Sequence, residues 1–152
     1  MERISKVAYY LDIARAVAKR STCLRRQYGC VLVKLDEIVA TGYNGAPRGQ
    51  LNCCDAGFCY RKQCNVPHGQ RYELCVAVHA EQNAIISAAR AEMLGGTAFL
   101  AGFDLETDKE IDAVPCRICA RMLMNAGIEQ VINRQGVLSP KTLVESDTTR
   151  AC

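Results

Sequence analysis

No stretch of this chain approaches the ~18 consecutive apolar residues that a membrane-spanning helix needs, and its first residues, Met1 to Ser5, lack the long apolar core of a secretory signal. A soluble, cytoplasmic protein is the expectation. A dominant charge is missing too. Lys and Arg number 19 against 16 Asp and Glu, for a net +3, and the basic residues are scattered apart from short pairs such as Lys19-Arg20 and Arg25-Arg26. That balance argues against a nucleic-acid surface but suits a small anionic ligand. With 11 Gly and 4 Pro, no low-complexity segment, no internal repeat and no linker, the 152 residues exclude a disordered or solenoid chain. A single domain spanning 1–152 follows from that length.

What the chain has in excess is cysteine, 10 in all. Without a secretion signal, metal binding or reactive thiols are the better explanation than disulfides. Each cysteine therefore has to be read by position, and Cys152 receives no role.

Hydrophobic spacing predicts an amphipathic helix over 2–19, a hairpin over 29–43 and a long aperiodic loop from Asn44 to Leu74. A helix over 79–94 follows, ended by Gly95-Gly96, then a short strand from Thr97 to Gly102. A polar, acidic excursion runs from Phe103 to Val114 and carries Asp104, Glu106, Asp108, Glu110 and Asp112. It leads into a helix over 116–126, with Pro115 opening its first turn and Gly127 closing it, and a strand over 129–133. This order predicts an α/β domain with a mixed sheet and helices on both faces.

Two segments carry chemistry: His79-Ala80-Glu81 at one predicted helix start and Pro115-Cys116-Arg117-Ile118-Cys119 at another. Cysteines three apart in a first turn put both sulfurs on one face, and a neutral histidine completes three soft ligands suited to zinc. Three protein ligands leave a fourth position for water, whereas a structural zinc usually has four. Both helix N-termini favour thiolate at Cys116 and Cys119. Glu81, two residues past His79, is placed to move a proton without ligating the metal. The pattern H-x-E followed by P-C-x-x-C is that of zinc-dependent nucleobase deaminases.

The stretches Ser21-Thr22-Cys23-Leu24-Arg25-Arg26, Gly42-Tyr43-Asn44-Gly45-Ala46-Pro47-Arg48-Gly49, Glu81-Gln82-Asn83-Ala84 and Asn125-Ala126-Gly127-Ile128 extend this pattern. Through them the chain resembles the dCMP deaminase branch of the cytidine deaminase superfamily, from about Ile4 to Ile132. The resemblance implies a three-layer α/β/α fold with a mixed central sheet of about five strands. It implies a catalytic zinc on His79, Cys116 and Cys119, Glu81 as proton shuttle, and Asn44 bonded to the sugar or base. The reaction implied is hydrolysis of dCMP to dUMP and ammonia in pyrimidine nucleotide metabolism. Arg25, Arg26 and Arg48 are the candidates for a 5′-phosphate. The family also implies a homo-oligomer, commonly a hexamer, with dCTP and dTTP as effectors.

By the same resemblance, Cys23, Cys53, Cys59 and Cys75 are candidates for a second, structural metal pinning the loop over 44–75, with Cys54, Cys64 and His68 as rival ligands. Cys30 and Cys75 also read as thiols packed like small apolar residues. The acidic excursion departs from many relatives and is expected to reshape the pocket rim. Other cytosine substrates (CMP, cytidine, a 5-modified dCMP) and a non-catalytic zinc module that binds nucleotides remain as alternatives.

Overall fold

The computed structural model describes residues 1–146, so Cys152 lies outside the described residues. Helix α1 (Lys6–Ala18) leads into β1 (Arg26–Lys34) and β2 (Glu37–Tyr43). Short helical turns α2 (Cys53–Ala56) and α3 (Tyr60–Gln63) punctuate the loop, and α4 (Ala80–Ile86) and α5 (Arg90–Met93) follow it. The chain then runs through β3 (Thr97–Asp104), β4 (Lys109–Ile111), α6 (Arg117–Ala126), β5 (Gln130–Asn133), β6 (Gly136–Leu138) and α7 (Pro140–Glu145).

The sheet has six strands, ordered β2-β1-β3-β5-β6, with β4 also paired to β3. Pairing is antiparallel except between β3 and β5, so the sheet is mixed, as expected. Alternate side chains of β1 and β3 serve two cores, which is the period-2 consequence of the pleat. Val31, Val33, Phe99 and Ala101 pack against Tyr10, Leu11 and Ala14 of α1. Cys30, Leu32, Ala98 and Leu100 face the opposite way, with Ala80 and Ala84 of α4 and Leu123 and Ala126 of α6. That two-sided burial explains the continuous apolar runs in both strands.

Glycine lets the layers approach closely. A Cβ on Gly29 of β1 would lie 2.2 Å from the Ala14 carbonyl oxygen and 2.4 Å from the Ala18 nitrogen. One on Gly42 of β2 would lie 2.3 Å from the Ala80 carbonyl oxygen and from the Ala84 nitrogen. Gly42 thus seats the first turn of α4 directly on the sheet.

Four expectations are corrected. The helix predicted over 79–94 is two helices: the Ser87 hydroxyl bonds back to the Asn83 carbonyl at 2.8 Å, and Glu92 caps the Ala89 amide at 2.9 Å to start α5. The excursion over 103–114 is largely a hairpin, because Asp104 Oδ1 accepts from the Glu106 and Thr107 amides and turns the chain so that β4 pairs with β3. Pro115 precedes α6 instead of opening its first turn, since Cys116 itself is the N-cap. Strand β6 and helix α7 follow β5, where no further element was expected.

Replacing Gly29 with Ala is expected to destabilise the protein by about 1–3 kcal/mol, because backbone of α1 and not a mobile side chain occupies the space. Urea unfolding monitored by circular dichroism checks this; an unchanged midpoint would contradict the close approach.

Candidate metal centre and its cavity

His79 is the N-cap of α4 and Cys116 the N-cap of α6, so both sit where unpaired helix amides converge. The Cys119 amide donates to Cys116 Sγ at 3.4 Å, and the His79 amide is held by Gln82 Oε1 at 2.9 Å. His79 Nδ1 lies 3.5 Å from Cys116 Sγ and 3.3 Å from Cys119 Sγ. All three ligand atoms fall within 4.8 Å of one another. A tetrahedral zinc with its usual bond lengths sets sulfur and nitrogen roughly 3.6 Å apart, so this donor set fits that ion.

The electrostatics favour one thiolate in this group. Cys116 is pushed down to about 4, first because the Cys119 thiol donates to it and then, against burial, by His79 and the Cys119 amide. Its partner Cys119 is pushed the opposite way by the same hydrogen bond and by burial. His79 is raised by its bond to Cys116, with burial opposing. Glu81 is 7% exposed and is not one of the three ligands. Burial raises its pKa above the ordinary carboxylate value, and its own backbone amide and His79 oppose that shift. A buried carboxyl of raised pKa next to a metal group is suited to proton transfer.

Glu81, His79 and Cys116 line a cavity of about 140 Å³ together with Tyr28, Asn44 and Leu100. Its volume is small beside the roughly 300–1,000 Å³ of many ligand pockets. Asn44 is buried in its wall, but its side chain is largely engaged: Oδ1 accepts from the Tyr28 amide at 2.7 Å and Nδ2 donates to the Arg26 carbonyl at 2.9 Å. One amide hydrogen remains for a ligand.

Of the three arginines expected to meet a phosphate, Arg25 and Arg26 line the cavity and Arg48 does not. Arg48 is exposed, because the chain from Pro47 to Gln50 makes an outward turn after β2. Arg26 bonds Asp104 at 3.2 Å, and its Nη1 lies 2.9 Å from His68 Nε2. Three of the other acidic residues of the excursion turn towards cations elsewhere: Glu110 to Arg15, Asp112 to Arg134 and Glu106 to Lys62. Ala113 and Val114 reach the cavity wall, held there by the Asn133 side chain bonding the Ala113 carbonyl at 2.9 Å.

Arg61 is the charged cavity residue that sequence reasoning missed. Buried at 7% exposure, it lies over the Tyr72 ring at 5.1 Å, and Tyr72 in turn meets the His79 ring edge-on at 5.0 Å. An arginine in an aperiodic, polar loop carries no burial signal; the adjacent aromatic residues Tyr60 and Tyr72 were the only hint.

Every cysteine among the described residues is a free thiol. Cys23, Cys59 and Cys75 all act on Cys53, whose pKa is pushed up to about 11 by burial first and then by those neighbours. The four therefore share one neighbourhood, although among the described residues the His79 group alone brings three ligand atoms within 4.8 Å. His68 faces Arg26 and the cavity.

Residues 4–134 match the cytidine and deoxycytidylate deaminase zinc-binding region. The chain belongs to this zinc-binding deaminase family. It is 38% identical over 125 residues to the deoxycytidylate deaminase of Schizosaccharomyces pombe, covering 82% of this chain and 35% of that protein. It is 36% identical over 129 residues to that of Mycobacterium phage D29, covering 82% and 90%. The dCMP deaminase of cyanophage S-TIM5 superposes with a TM-score of 0.61 at 26% identity, over 88% of this chain and 85% of that one. The chain thus spans about a third of the yeast protein and most of the two phage ones. The family is defined by its zinc-binding region, and the fold is the deaminase fold. Among the described residues no helix is long and apolar enough to cross a membrane.

Replacing Cys119 with Ala is expected to lower bound zinc by one ion per chain, as is acidification, since protons compete for thiolate and imidazole. Metal analysis after gel filtration checks both. Unchanged zinc in the variant would contradict the assignment of this ligand set.

Proposed function

We propose that this chain catalyses the hydrolytic deamination of dCMP, taking up water and releasing dUMP and ammonia. The observation that carries the reading is a buried carboxyl, Glu81, beside a three-ligand metal group at a cavity lined by arginines. The deoxycytidylate deaminases of fission yeast and phage D29 support the choice of substrate.

Zinc held by His79, Cys116 and Cys119 would supply a Lewis acid that brings the pKa of water near neutrality. Glu81 moves both protons of the water in turn: the first, taken as the water attacks C4, goes to N3, and the second, from the new C4 hydroxyl, goes to the amine, so that the C4–N bond breaks and ammonia leaves. Asn44 spends most of its amide on joining β2 to β1 and offers its free N–H to the ligand. Leu100 and Ala113 give the ring apolar walls. Arg25 meets the 5′-phosphate, with Arg26 behind it.

The reading extends to a single domain over 1–152, a homo-oligomer with dCTP and dTTP as effectors, and a cytoplasmic setting. A second, structural zinc on Cys23, Cys53, Cys59 and Cys75 is part of it, supported by their shared neighbourhood and by a loop with little core of its own.

Replacing Glu81 with Gln is expected to cut turnover by about 10²–10⁴-fold with zinc content unchanged. Deamination rates and metal content measured on the same preparation check this. Near-normal turnover would remove Glu81 as the proton carrier and favour a binding module.

A further inference from the structure

Alternate residues of β1 share one face of the sheet, so Cys30, Tyr28 and Arg26 project on the same side at steps of about 6.7 Å. Cys30 lies in the core beneath the start of α4, with Ala80 and Ala84. Arg26 stands at the other end, bonded to Asp104. Tyr28 is midway between them and lines the cavity with Glu81, Arg25 and Arg26.

The ring of Tyr28 is held in place. Its cross-strand partner on β3 is Gly102, and that glycine pairs in turn with Ile111 of β4. A Cβ on Gly102 would lie 2.7 Å from both Cδ1 and Cε1 of Tyr28 and 3.2 Å from Cγ1 of Ile111, so the ring lies across the bare backbone of β3 beside Ile111. The phenol oxygen faces the Arg26 guanidinium, and the Tyr28 amide and carbonyl are both bonded to Asn44. Burial raises the phenol's pKa, with Arg26 opposing and Glu81 adding to the rise, so the group is uncharged at neutral pH. With Leu100, Tyr28 gives the middle of the cavity a fixed, apolar floor.

A nucleotide with its base at Glu81 and its 5′-phosphate at Arg25 has its sugar over that middle. We propose that Tyr28 is the residue that selects deoxyribose: the C2′ methylene edge of the sugar packs on its ring, and a 2′-hydroxyl in that place meets carbon and no polar partner. A hydroxyl stripped of water and left unpaired costs affinity, whereas a methylene gains by the same burial. The placement of base and phosphate rests on the deaminase reading; the fixed aromatic floor does not.

The test is kcat/KM for dCMP and for CMP, measured on the zinc-loaded full chain. The wild type is expected to favour dCMP. Tyr28→Val keeps a strand-forming residue but removes the ring, and it is expected to lower that preference on the order of 10- to 100-fold, chiefly through faster turnover of CMP. Tyr28→Phe keeps the ring and should keep the preference. Gly102 does not line the cavity, but Gly102→Ala displaces the ring that does. It is expected to lower kcat/KM for both nucleotides and to have much less effect when combined with Tyr28→Val. An unchanged preference in Tyr28→Val would overturn the proposal. An equal loss in Tyr28→Phe would also overturn it, by assigning selection to the hydroxyl, as would a Gly102→Ala effect that is the same with and without the ring. If circular dichroism shows Tyr28→Val unfolded, Tyr28→Leu takes its place. Equal turnover of dCMP and CMP by the wild type would overturn the selection and leave the deaminase reading standing. Turnover of neither, with zinc bound, would fell the deaminase reading, and calorimetric binding of the two nucleotides then decides: tighter binding of dCMP that Tyr28→Val abolishes would keep the selection, and equal or absent binding would overturn it.

Discussion

Three soft donor atoms from two helices must meet within 4.8 Å, and the rest of the architecture follows from that demand. His79 and Cys116 are both N-caps, so the meeting point is set by where α4 and α6 begin, not by flexible side chains. Gly42 lets the first turn of α4 rest against β2, and Ala84, Leu123 and Ala126 share one core with Leu32 and Leu100. A bulkier residue at any of these positions would move a ligand. The unpaired amides at both helix starts add positive potential that favours thiolate and an anionic reaction centre.

The long loop solves a different problem. It has few apolar residues and still has to wall the cavity. Part of its order comes from Arg61, which gathers the Pro67 and Gln70 carbonyls around one buried cation and lies over Tyr72, which contacts His79. Loop order and ligand orientation are thereby coupled. The acidic hairpin acts at longer range: Asp104 holds Arg26, Glu106 holds Lys62 and Glu110 holds Arg15, so it ties the sheet to the loop and to α1. Its charges are largely neutralised by these partners, which is why the cavity wall keeps a cationic excess.

Features set by local pattern were legible in the sequence: the amphipathic face of α1, the β1-β2 hairpin, the mixed sheet, and the two motifs that the structure brings together at one cavity. Features set by long-range contacts were not. Ser87 breaks a helix whose hydrophobic period continues past it. The β4 strand is polar because it is itself an edge strand, paired to the end of β3 alone, so it reads as a loop. Arg48 closes the Gly42-to-Gly49 stretch, yet its turn points it to solvent, and Arg61 is buried by residues up to eleven positions away that no periodicity connects. The cysteines of the loop reveal a shared neighbourhood only once the chain folds back through the Gly45–Val78 bridge.

The most direct measurement is a spectrophotometric deamination assay of the zinc-loaded protein with dCMP, CMP, deoxycytidine and cytidine, run with and without dCTP. The account predicts turnover of dCMP well above that of the three others. Silence on all four substrates with zinc bound, or equal turnover of dCMP and deoxycytidine, would contradict it.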